Sequence, residues 1–139
     1  MSHAAKQIRD WFVSKLTGVS GLPAARSGRP AQIAAGTRAC YVTHGAETVE
    51  PLTMHNPRED ERQLPVLVVL VAESLDAADA LSVLAEEAIA NGTSYPATEP
   101  ALESREYAEE VETDRVVVSI TLTYTAPYSV ASNDVETLA

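Results

Sequence analysis

Most of the residues that build chemical sites are scarce in this chain. Its one cysteine, Cys40, excludes an intrachain disulfide, and the neighbours "RACYV" read as a strand in which a buried thiol simply packs, as expected in a reducing compartment. The three histidines, His3, His44 and His55, form no close pair of the kind zinc sites are built on, so they read as solvated or turn-stabilising residues. Six glycines are present, none with the spacing of a phosphate-cradling loop or a dinucleotide fingerprint, and no nucleophile elbow occurs. One Phe and one Trp leave the core to Val, Leu, Ala and Ile. Basic residues are outnumbered ten to twenty, and a formal charge of −10 repels nucleic acid phosphates. The longest apolar run, Pro65 to Ala72, is far short of the ~20 residues of a membrane span. The start "MSHAAKQIRDWF" lacks the apolar stretch of a signal peptide. These absences point to a protein made soluble in the cytoplasm, with no membrane partner.

What is present is patterned hydrophobicity. A length of 139 residues suits one domain, 1–139, which at this size buries roughly two-thirds of its unfolded surface. Ile8, Phe12, Leu16 and Val19 recur at helical spacing from a start near Ser2 or His3, and Gly18, Gly21 and Pro23 end the helix. From Leu22 to Ala35 the residues are small, basic and turn-prone, which predicts an extended arm with a short edge strand at most. Thr37 to His44 alternates as a strand does, and Gly45-Ala46 lets the chain turn. Pro51, His55-Asn56-Pro57 and the charged run "REDER" (Arg58, Glu59, Asp60, Glu61, Arg62) make Glu47 to Gln63 an expected mobile loop where a partner binds.

The run "LPVLVVLVAE" is continuously apolar, as a central strand covered on both faces must be. A second helix follows, with Asp76 as its expected cap, Asn91-Gly92 as its left-handed stop, and a stripe of Ala77, Leu81, Leu84, Ala85, Ala88 and Ile89 laid on the sheet. Arg105 to Glu112 and Arg115 to Pro127 form a hairpin turning at Thr113-Asp114. On its last strand Val116, Val118, Ile120, Leu122 and Tyr124 face the core. A flexible polar tail is expected from about 129. The fold expected is α+β: an antiparallel-rich or mixed sheet of four to five strands, with two helices against one face.

The acidic residues invite a catalytic reading that their spacing opposes. Glu73 ends an apolar strand as a magnesium-holding acid of nucleotide hydrolases does, but no phosphate loop accompanies it. Glu86-Glu87 and Glu109-Glu110 are adjacent pairs whose side chains diverge, so neither forms a local acid/base couple. Asn91-Gly92-Thr93 fits a glycosylation acceptor, yet no secretory signal precedes it. No catalytic, cofactor-binding or metal-binding residue is assigned.

Four segments together resemble the tail terminator family, minor tail proteins of long-tailed bacteriophages. "IRDWFVSKLTGVSGL" looks like its opening helix, and "RPAQIAAGTRACYVTHGAETVE" like its arm and first long strand. "ERQLPVLVVLVAESLDAADALSVLAEEAI" looks like its strand and second helix, and "RVVVSITLTYTAP" like its last strand. The arm departs from the family's pattern, with Gly36-Thr37-Arg38-Ala39 where an apolar segment and a Leu-Pro are usual. The resemblance implies a non-enzymatic structural virion protein, located in the tail after assembly in the host cytoplasm. Such proteins form a ring, a hexamer in this family, on the head-proximal end of the tail tube, stop its polymerisation, and offer a surface for head or neck attachment. The implied partners are other copies of the chain, the tail tube protein, a neck or head-completion protein, and DNA passing through the lumen unbound. Arg26, Arg29 and Arg38, the local positive excess, and Arg58, Glu59, Asp60, Glu61 and Arg62 are the expected subunit or tube interface. A head-completion or neck adaptor protein and a small-molecule-binding module are the alternatives.

Overall fold

The computed structural model describes residues 3–28, 38–52, 59–97, 99–112, 115–131, 133–136 and 138. Among them run α1 (Ala4–Leu16), β1 (Ala25–Ser27), β2 (Ala39–His44), β3 (Thr48–Pro51), β4 (Glu59–Ala72), α2 (Leu75–Ala90), β5 (Ala101–Glu112) and β6 (Arg115–Ala131). The strands form one mixed sheet in the order β1-β2-β4-β6-β5, with β3 also on β4. Only the β1–β2 pairing is parallel.

β4 is central because its composition leaves it no other place. Its inner half pairs with β2 on one edge, from Val66↔His44 to Val71↔Ala39, and all of it pairs with β6 on the other. Every side chain from Val68 to Ala72 is buried, which only a strand covered on both faces can achieve. Leu64, Val66, Val68 and Leu70 point to the helices with Cys40, Val42, Ile120 and Leu122. Tyr41, Val69 and Val71 form a smaller apolar cluster on the opposite face. β6 shows the expected alternation, with Val118, Ile120, Leu122, Tyr124, Ala126, Tyr128 and Val130 buried toward the helices.

Both helices lie on one face, α1 over β1 and β2, α2 over β4 and β6. α1 buries Ala4, Ile8, Trp11, Phe12 and Leu16, so Ile8, Phe12 and Leu16 of the expected stripe hold with Trp11 added, while Val19 lies beyond the end of the helix. α2 buries Ala78, Leu81, Ser82, Ala85 and Ile89, a stripe rotated slightly from the one its sequence predicts. Its cap is Ser74, not Asp76: the Ser74 hydroxyl accepts the Ala77 amide at 3.2 Å, and Asp76 lies inside the first turn near the positive end of the dipole.

Three expectations need correction. The described part of the predicted mobile loop is largely sheet, since Thr48–Pro51 pairs with Asp60 to Gln63 of β4, and this strand with β1 raises the count to six; residues 53–58 lie outside the described residues. Between the pairs His44↔Val66 and Thr48↔Gln63, residues 45–47 stand opposite only Leu64 and Pro65. β2 and β3 are thus one bent strand with a bulge, placed at a proline that has no amide to donate. Gly45 donates to the Pro65 carbonyl at 2.9 Å across that bulge.

The flexible tail expected from about 129 is also replaced by structure. β6 runs on to Ala131, and the Val135 carbonyl accepts the Ala4 amide at 2.9 Å while the Glu136 carbonyl accepts from Gln7 Nε2 at 2.6 Å. The first amides of a helix have no intrahelical partner, and here the chain's end supplies one while His3 Nδ1 accepts the Ala5 amide at 3.0 Å. Finally, Asn91-Gly92 is no left-handed stop, because the positive-φ glycines among the described residues are Gly18, Gly21 and Gly28 and Asn91 has φ −94°. Gly92 is small for another reason: a Cβ there would lie 2.7 Å from the Trp11 ring. The predicted turn at Thr113-Asp114 falls outside the described residues.

Placing a charge on the inner face of β4 should prevent folding. Val68→Asp buries a carboxylate with no partner on a fully covered strand, at a cost above about 4 kcal/mol, comparable with the whole stability of a small domain. Far-UV circular dichroism and a thermal melt check this, and a cooperative wild-type-like melt would refute the central placement of β4.

Candidate functional site

The residues expected at an interface do not form one cluster. Arg26 is exposed on the edge strand β1, and it is the exposed arginine without an acidic partner among the described side chains. Arg38 precedes β2 and reaches back to Glu73 at the end of β4, with Nη2–Oε1 2.8 Å and Nε–Oε2 3.2 Å. Two parallel N–H···O bonds of this kind match the fork of a guanidinium to a carboxylate. They hold the Glu73 carboxyl down to about 2, with a backbone hydrogen bond as the next cause, and they raise the Arg38 guanidinium. Both side chains are exposed, so the pair is screened by salt.

Glu59, Asp60, Glu61 and Arg62 lie at the other end of β4, about 35–40 Å away along a strand. Asp60 is buried and interacts within the fold, and Glu59 also has a partner. Glu61 accepts from Gln63 Nε2 at 3.2 Å. Arg62 donates to Glu47 at 3.4 Å and lies 3.2 Å from His3 Nε2, while the Tyr128 hydroxyl donates to the other Glu47 oxygen. Burial and the adjacent Glu47 carboxylate push the Tyr128 hydroxyl up, so it stays protonated as a donor. Arg62 of the expected cluster thus tethers β4 to the start of α1 and, through Glu47, to β6. Arg29 and Arg58 fall outside the described residues.

β5 forms one outer edge of the sheet and β1 the other. β5 carries Glu103, Glu106, Glu109, Glu110 and Glu112 against one arginine, and Glu106 to Glu109 are all exposed. Charged side chains on an open edge oppose indiscriminate strand pairing. The arginine, Arg105, turns inward: it donates to Asp79, to Ser82 Oγ at 3.1 Å and to the Tyr107 hydroxyl at 2.6 Å. Tyr107 in turn donates to Asp79 at 2.9 Å. Arg105 first and Tyr107 second hold Asp79 below the ordinary carboxylate range. This network ties the acidic edge to α2.

A concavity that sequence reasoning missed lies beside that tie. Trp11, Tyr95, Tyr124, Leu102, Glu86 and Glu99 contribute to the lining of a cleft of about 350 Å³ between α1, the end of α2 and the start of β5. Trp11 donates its indole N–H to the Thr93 carbonyl at 3.0 Å and meets Tyr95 edge-on at 4.7 Å between centroids. Phe12 stands 5.2 Å from Trp11 and 5.3 Å from Tyr124. α1, the segment after α2 and β6 supply these rings, so no local motif announces them. Their scarcity was the available signal, since the chain's one Trp, its one Phe and two of its five Tyr gather here.

Cys40, buried under the helices, has its thiol pushed up to about 11 by desolvation and packs as the sequence predicts. Among the described residues no group of three or more His, Cys, Asp or Glu could hold a metal ion, and no helix is long and apolar enough to cross a membrane.

No family model matches this chain, and no curated protein matches it. Among solved structures it is similar to a chain of the "Virion of native gene transfer agent (GTA) particle", with a TM-score of 0.39, 18% identity and 90% of each chain covered. A likeness of that size leaves function to be argued from this chain's own residues.

Carbon-detected NMR of the side-chain carboxyls checks the Arg38–Glu73 pair. Glu73 should titrate near 2, and Arg38→Gln should return it to the ordinary carboxylate range. Because the folded value is depressed, the pair's contribution to stability is complete above the ordinary range and disappears as pH falls toward 2. An ordinary midpoint in the unmodified protein would show the pair to be unformed in solution.

Proposed function

We propose that this chain is a structural virion protein of the tail-terminator kind, which closes into a ring on the end of a phage tail tube and stops its growth. One observation supports assembly most: the sheet ends in two unlike edges. The β5 edge is long and acidic, and the β1 edge carries Arg26, exposed and unpaired among the described side chains. Unlike edges that attract each other favour a head-to-tail contact, and head-to-tail contacts close into rings when the rotation between neighbours divides a full turn.

The remaining features agree with binding work and require no reaction. The perturbed carboxylates Glu73 and Asp79 are each explained by an arginine within the fold. Six copies at −10 each give a ring of about −60, past which DNA moves without sticking. The neck or head-completion protein binds the ring's other face. A terminator must also prefer the tube end to free tube subunits, since equal affinity would sequester subunits without setting a length. Weak self-association in the free state follows, with the tube end raising the local concentration until the ring closes.

Tail preparations lacking the protein should contain over-long tubes, and adding it back early should restore a uniform length. Normal tube lengths in its absence would sink the terminator reading and favour a neck adaptor.

A further inference from the structure

We propose that the cleft between α1, the end of α2 and β5 is a binding site for a guanidinium group carried on an alkyl stem. Its walls divide the task as that ligand requires. Trp11, Tyr95 and Tyr124 supply aromatic surface, and Leu102 supplies apolar surface at the mouth, where its side chain is 43% exposed. Glu86 and Glu99 supply two negative charges, and among the described residues no Lys, Arg or His lines the cleft. A cation on an apolar stem gains from ring faces and carboxylates together, whereas an anion is repelled by both acids and by the chain's net charge.

One detail of geometry favours a cation over a neutral apolar guest. Glu86 is oriented by a relay: Arg105 Nε donates to Ser82 Oγ at 3.1 Å, and Ser82 Oγ donates to Glu86 Oε2 at 3.4 Å. That relay occupies one carboxylate oxygen of Glu86. Its charge reaches into the cleft, where it adds to burial in pushing the Tyr124 hydroxyl up to about 12. Lys15 Nζ lies 5.9 Å from the Trp11 ring centroid, so this ring already meets one positive charge.

The same chemistry has two sources, a free alkylguanidine and an arginine side chain on another protein chain, and the single tryptophan inside the cleft reports either. Trp11 emission is followed while the intact protein is titrated with agmatine, with N-acetyl-arginine methylamide, and with neutral butyramide at matched ionic strength. A saturable change with either guanidine and none with butyramide is the expected result. Tighter binding of the acetylated arginine amide assigns the site to a protein side chain, and tighter binding of agmatine assigns it to a small molecule. Glu99→Gln, at an exposed position, should weaken binding about tenfold, the equivalent of one charge-assisted hydrogen bond. Circular dichroism should be unchanged in this variant. No saturable response to either guanidine, an equal response to butyramide, or an unaltered affinity in Glu99→Gln would overturn the proposal. None of these outcomes depends on ring formation.

Discussion

Everything else in this molecule is arranged around the backbone pairing of β4. It is fourteen residues long and bonded to β6 over its whole length. Its other edge is shared end to end by β3 and β2. A strand whose inner half is apolar on both faces can only fold if both edges are paired and both faces are covered, because its amides and side chains tolerate neither water nor vacancy there. That demand places β2 and β6 as neighbours. It also draws both helices onto the face carrying Leu64, Val66, Val68 and Leu70, and leaves β1 and β5 as the sheet's open ends.

The elements legible in the sequence are those fixed by local periodicity. The stripes of α1 and α2, the two-faced run in β4 and the alternation of β6 each follow from residue spacing alone, and the structure agrees on which face is buried. What escaped depends on contacts far apart in sequence. Charged and proline-containing residues from Glu47 to Gln63 look unable to fold by themselves, yet β6 offers Asp60 to Gln63 a paired edge, and those residues in turn template Thr48 to Pro51. The polar end of the chain looks loose until α1 needs a carbonyl for its first amide. Gly92 looks like a helix stop, and is instead the gap into which Trp11 fits.

The interface candidates show the same division. The positive excess in the arm and the acidity of β5 are visible in composition, but composition cannot reveal that Arg38 is taken by Glu73, Arg62 by Glu47 and Arg105 by Asp79. Once those internal pairs are removed, Arg26 stands exposed on one edge, and Glu103, Glu106 and Glu109 stand exposed on the other. The aromatic cleft was invisible for a related reason: its walls come from α1, α2, β5 and β6, and only the packed fold brings them together.

Assembly through unlike edges is most directly tested by cryo-electron microscopy of the purified protein mixed with its tube protein. The expected result is a closed ring at one end of each tube, in which the β5 edge of one subunit faces the β1 edge of the next. Protein spread along the tube wall, or a ring whose subunits meet through like edges, would contradict it.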